Sequence, residues 1–192
     1  MIKKLFPHIN DELAKYVNGD DYTNLIISKF KVPDYEKWKS KINGVKLGDT
    51  VLLSDSTDQN VCYTAFKTSS KTIGELKVID FFYIQKSRIA DFFIIYVKSR
   101  VVANYPDEKI IYPSTLIVSP ETIYAPFFRE ARTLIIENYP NAQMIPFYML
   151  SRDVSLTIPH FKGEKINYYR ALFGYEGDIL NSHITGDPNF WF

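Results

Sequence analysis

The chain has 192 residues, 46% of them hydrophobic and 23% charged, with 23 Lys and Arg against 22 Asp and Glu for a net charge of +1. That length and apolar fraction suit one folded domain and exclude global disorder, and the near-zero charge argues against a nucleic-acid partner, whose binders carry a basic face. A single cysteine, Cys62, excludes an internal disulfide and a multi-cysteine zinc site, and the separated His8, His160 and His183 form no metal motif, so no metal is expected.

The N-terminal string MIKKLFPHINDELAKY meets acidic residues before an apolar core of signal-peptide length develops, which predicts a cytoplasmic protein. Asn24 to Phe30 reads as a short strand. Pro33 then opens a helix over 34–42, where Tyr35, Trp38 and Ile42 recur on one face and Asn43-Gly44 stops it. Thr50 to Leu53 and Val61 to Phe66 are apolar runs joined by SDSTDQN, whose Ser, Asp and Asn supply turn chemistry, so they predict a hairpin. Leu76 to Ile84 (LKVIDFFYI) is a further strand carrying one charge, Asp80.

The segment from Ser87 to Tyr105 reads either as a strand returning from Ile84 or as a helix capped by Ser87; Ile89, Phe93, Val97 and Val101, four apart, favour a helix ending before Pro106. It holds the longest apolar stretch, Ile89 to Val102. Asp91, Lys98 and Arg100 interrupt that stretch, so it falls short of the roughly 20 apolar residues of a membrane span, and no membrane partner is expected. Ile110 to Val118 reads as a strand with Pro113 at an edge or bulge. A helix follows from Pro126, with Phe127, Ala131, Leu134 and Ile135 on its apolar face. Met144 to Leu150 reads as a strand, SRDVSLTIPHFKG as a loop, and Lys165 to Phe173 as a short aromatic helix closed by Gly174. Asp178 to Ile184 and Asn189 to Phe192 close the chain as a hairpin, whose aromatic end suits either sheet packing or a homo-oligomer contact.

Two strings in the C-terminal half carry a resemblance. LIVSPE (Leu116 to Glu121) is a strand ending in V-x-P before an amphipathic helix, and INYYRALFGYEGD (Ile166 to Asp178) is an aromatic helix closed by Gly-aromatic. Together, over residues 110–192, they resemble the second half of the Gcn5-related N-acetyltransferase (GNAT) superfamily. The resemblance implies a single α/β (α+β) domain, with a GNAT-like mixed central sheet flanked by helices. In that family two parallel strands splay, and the pantetheine arm of an acyl-CoA pairs with the exposed backbone while its pyrophosphate rests on amides at a helix N-terminus.

By the resemblance, Leu116, Ile117 and Val118 would offer that backbone, with Thr122, Ile123, Tyr124 and Ala125 as the pyrophosphate turn. The co-substrate would be acetyl-CoA or a longer acyl-CoA. The acceptor would be the amine of a small molecule or of a protein lysine, attacking the thioester directly. Asp80 or Glu121 would be the base and Tyr169 the acid that protonates the departing thiolate. Tyr169 stands one residue before the family position, which Arg170 fills. A second register puts the turn at Gln85 to Ala90 after the strand bearing Asp80. It resembles toxin-activating lysine acyltransferases, in which His8 and Asp80 would pair.

The turn here is E-T-I-Y-A-P. It has no glycine to bare its amides, begins with the anionic Glu121, and includes Pro126, which has no amide hydrogen. The alternative function is therefore a non-catalytic GNAT-like structural or interaction protein, such as a phage virion-associated protein with a virion partner. Cys62, between Val61 and Tyr63, reads as a buried apolar residue. The aromatics Phe81, Phe82, Tyr83, Phe92 and Phe93 read as core, because a strand-borne platform for bases needs basic residues in register and none is evident beside them.

Overall fold

In the computed structural model of the chain, the described residues are 32–47, 50–55, 62–154, 164–174, 179 and 182–190. Helix α1 (Val32–Ile42) leads into β1 (Lys46–Leu47), β2 (Thr50–Val51) and β3 (Leu53–Asp55). Three long strands follow: β4 (Cys62–Ile73), β5 (Leu76–Ser87) and β6 (Phe92–Asn104). The rest comprises β7 (Lys109–Ile111), β8 (Thr115–Ile117), a single 3-10 turn (Thr122–Tyr124), α2 (Ala125–Asn138), β9 (Gln143–Met144), α3 (Phe147–Leu150), α4 (Tyr168–Phe173) and β10 (His183–Thr185). The fold is α+β, a mixed sheet flanked by helices, as the sequence leads one to expect. The strand expected at Asn24 to Phe30 lies outside the described residues.

The sheet order is β10-β8-β6-β5-β4-β3, with β7 and β9 also on β6. Most pairs are antiparallel; β10 runs parallel to β8 and β9 parallel to β6. The registers of β4 on β5 and of β5 on β6 run unbroken from Ile73↔Leu76 and Leu76↔Ala103 inward, so side chains alternate strictly between two faces. On the front face lie α1 and α2, whose Trp38, Ile42, Phe127, Phe128 and Ile135 cover Ala65, Ile84, Ile95 and Val97. On the back face lie α3 and α4, whose Met149, Leu150, Tyr169 and Leu172 cover Ile94, Tyr96 and Leu116. Two cores therefore share one sheet.

Residues 92–104, expected to be helical, form the central strand β6. Residues 92 to 97 are buried on both faces, and such a strand reads as an unbroken apolar run in which a fourfold spacing has no meaning. Its Ile and Val residues also favour the pleated backbone. Ser87 does cap, but its hydroxyl takes the amides of Ile89 (3.2 Å) and Ala90 (3.4 Å) in the β5–β6 turn.

The expected strand at Met144 to Leu150 keeps only its first residue in β9. Pro146 has no amide to donate, and α3 begins after it. Pro113 divides the expected strand 110–118 into β7 and β8. The expected terminal hairpin lies partly outside the described residues, which leave out 178, 180–181 and 191–192; of its described part, β10 joins the sheet beside β8, and Phe190 packs edge-on against Phe128 at 6.3 Å. The helix expected at Lys165 is confined to α4, capped by Asn167 taking the Arg170 amide (2.8 Å) and ended by Gly174 at φ +94°.

Candidate functional site

The backbone expected to receive pantetheine lies inside the sheet. Leu116 faces Lys98 of β6 on one edge and Ile184 of β10 on the other, and the Val118 amide donates to the Thr185 carbonyl at 3.2 Å. Ile84, the alternative position, is paired with Ala65 and Ile95. Strands β8 and β9, on either side of α2, run in opposite directions along β6, so the parallel splayed pair expected there is not formed. The turn residues behave as a helix entry. Ile123 is 76% exposed, and α2 starts at Ala125 with no side-chain cap.

Asp80 sits on the front face in a polar row that the registers set out, Ser69↔Asp80↔Ser99↔Thr115↔His183. The Tyr124 phenol lies near Ser99 and Asp80 of this row; burial first, and the Asp80 charge second, hold it above its ordinary value. One Asp80 oxygen, Oδ1, is buried with no hydrogen-bond partner. His183 is three strands from Asp80, about 14 Å at the usual strand spacing, so the row holds no proton relay between them. Glu121 is exposed, and its carboxylate accepts the Ser119 hydroxyl at 3.4 Å.

Tyr169 is on the other side of the sheet. Its buried hydroxyl donates to Gln85 Oε1 at 2.8 Å, and Gln85 Nε2 reaches Thr64 at 3.5 Å. The neighbouring Tyr96 phenol is pushed well up, by burial foremost and then by Tyr169 and Tyr83. Burial pushes the Cys62 thiol up to about 12, against a smaller lowering by Thr64 and Arg88. These groups belong to the back core. The structure thus brings Asp80 and Tyr124 together and keeps Asp80 and Tyr169 apart. His8 and His160 lie outside the described residues.

What the structure assembles instead is a surface on the back of the sheet's far end, beyond α3 and α4. The in-register rows there are Phe66↔Tyr83↔Tyr96, then Thr68↔Phe81↔Lys98, then Ser70↔Ile79↔Arg100, then Thr72↔Lys77↔Val102. Tyr83 stacks on Tyr96 (4.9 Å, 21°) and tilts against Phe66 (6.3 Å). Phe66, Ile79 and Phe81 are partly exposed and belong to neither core. Lys98 and Arg100 stand beside Phe81 and Ile79, which corrects the expectation that basic residues in register are missing. A helix over residues 87–105 would scatter them around its circumference, whereas β6 lines them up. A period-two reading of Phe92, Ile94, Tyr96, Lys98, Arg100 and Val102 would have found them.

No protein-family model matches this chain, and no curated protein and no solved structure matches it. Among the described residues, no group of three or more His, Cys, Asp or Glu is arranged to hold a metal ion, and no helix is long and apolar enough to cross a membrane.

Proposed function

We propose that this chain is a non-catalytic interaction protein, and that an acyl-CoA-dependent N-acyltransferase is the weaker of the two readings. The observation that carries this is the double pairing of β8. A pantetheine arm binds by adding to an open backbone edge, and Leu116, Ile117 and Val118 have strand partners where the arm would lie. The faces of the sheet add a second reason: a base at Asp80 and an acid at Tyr169 would have to reach one thioester through β5. An interaction role is favoured by the far end of the sheet, where Ile73 (57% exposed), Leu76, Tyr105, Ile111 (56%) and Tyr112 gather in the open. Clustered exposed apolar residues are a common mark of contact surfaces.

Thermal melting and thiol release test the reading together. With acetyl-CoA or long-chain acyl-CoA, the expected result is no thiol release to a panel of amines. The melting shift should be no larger than that with adenosine 3′,5′-bisphosphate alone. A ligand at 100 times its dissociation constant adds about 2.7 kcal/mol, which for a chain of this size is roughly 5–10 °C. A shift of that size specific to the acyl-CoA, or amine-dependent thiol release, overturns the proposal and restores the transferase.

A further inference from the structure

Resting on the non-catalytic reading, we propose that the back of the sheet's far end binds single-stranded nucleic acid, its rings stacking on bases and its cations meeting phosphates. Three features point to this partner. Phe81, Phe66 and Tyr83 are neighbouring, partly open aromatic side chains on one face of a sheet, with Tyr83 stacked on the buried Tyr96 and Phe66 tilted against Tyr83. An aromatic ring on a strand is a stacking platform for any base.

The charged side chains that β4 to β7 place on the back of this end are all cationic. Lys77, Lys98 and Arg100 project from β5 and β6 on the same side as Phe81, and Lys109 follows on β7 by its register with Asn104. Of the described carboxylates at this end, Asp80 is on the front face, and Glu75, Asp107 and Glu108 lie in the connections at its tip rather than on the strands. A whole-chain charge of +1 is a sum over all surfaces and does not show a local cluster of this kind. Arg100 is also held in place, its Nε donating to the Ser114 hydroxyl at 3.3 Å, which leaves its terminal nitrogens for phosphate.

The outer edge is polar in the same pattern. Thr68, Ser70 and Thr72 place hydroxyls beside Phe81, Ile79 and Lys77, where they can bond sugar and phosphate oxygens. An acidic peptide would use the cations and leave the rings idle. An extended single strand uses both. A duplex cannot lay its stacked bases on the rings, so the surface should prefer single strands.

Fluorescence anisotropy of the full chain tests this with a labelled uridine-rich RNA, the same sequence as DNA, its duplex, polyglutamate, and phosphatidylserine vesicles. Single strands should bind more tightly than duplex, polyglutamate and vesicles, and the RNA and DNA arms report which sugar is preferred. Phe81→Ala should weaken single-strand binding about 5- to 150-fold, and Phe81→Tyr should restore it, since a base stacked on a ring is worth about 1–3 kcal/mol. Lys98→Gln with Arg100→Gln should flatten the salt dependence by about 1.4 in log-log slope.

Circular dichroism confirms that each variant folds, and Phe81→Tyr keeps the test informative should Phe81→Ala fail to fold. No single-strand binding up to about 100 μM, the usual non-specific range, overturns the proposal. So does unchanged affinity in folded Phe81→Ala, or equal binding to polyglutamate or vesicles. Such a failure without an acyl-CoA-specific shift removes the nucleic-acid partner alone and leaves the non-catalytic reading standing.

Discussion

The inner and outer halves of β4, β5 and β6 share one continuous register and meet opposite environments. In the inner half, Ala65, Ile84 and Ile95 are sealed under α1 and α2, and Ile94 and Tyr96 under α3 and α4. In the outer half, β4 becomes Thr68 to Ile73, exposed throughout, and β5 and β6 carry Lys77, Lys98 and Arg100. Strands of 12 and 13 residues span about 40 Å, longer than the short helices α3 and α4 can cover. The inner half holds the fold together, and the outer half is what the fold holds out.

Four measurements would break or sharpen that contrast, the largest effect first. Phe128→Ala, in the fully buried front core, should cost about 3–5 kcal/mol in urea unfolding, while Phe81→Ala should cost under about half as much. Equal losses would mean the outer half is as much a core as the inner. Tyr169→Phe should cost about 1–3 kcal/mol, because Gln85 Oε1 loses its buried donor. A stable Tyr169→Phe variant would count against a structural role for that hydroxyl.

Alkaline pH gives the third measurement. Cys62 ionises at 9.0 when unfolded and at about 12 when folded, so its contribution is whole below 9.0. Between those values the unfolded chain has released a proton that the folded chain keeps. Stability therefore falls as pH rises, by up to about 1.4 kcal/mol per unit. Tyr96, also raised by burial, steepens the fall above its ordinary 10.0. Cys62→Ala should flatten the slope from pH 9 upward, seen by denaturant titration at several pH values. The smallest effect is at the tip. Ile73→Ser should change stability by no more than about 0.5 kcal/mol, and a larger loss would show that the exposed end packs on something.

Much of the local structure was legible. Trp38 and Ile42 on one face of α1, Pro126 in the first turn of α2 and Gly174 ending α4 all follow from short-range chemistry, whereas the expected hairpin strand 50–53 is shifted: Thr50 and Val51 pair with β1, and β4 is met by Leu53, Ser54 and Asp55. Those signals act within a few residues, so they survive without tertiary context. Residues 92–104 do not. Ile and Val at fourfold spacing are compatible with a helix face and with a strand buried on both sides, and only the presence of β5 and β8 on its edges decides. The expected base and acid went the same way: Asp80 and Tyr169 are each plausible alone, and the parity of β5 sends Asp80 and Gln85, the partner of Tyr169, to opposite faces.

From the sequence by itself come an α+β chain, a buried inert Cys62, and the ends of α1, α2 and α4, because these depend on composition and on neighbours along the backbone. Only the tertiary structure decided that Leu116 has β10 beside it and that Lys98 stands next to Phe81. Strand pairing joins residues far apart in the chain through backbone groups that are the same in every residue type. The sequence holds no local mark of which two strands will meet, and the meeting decides which side chains share a face.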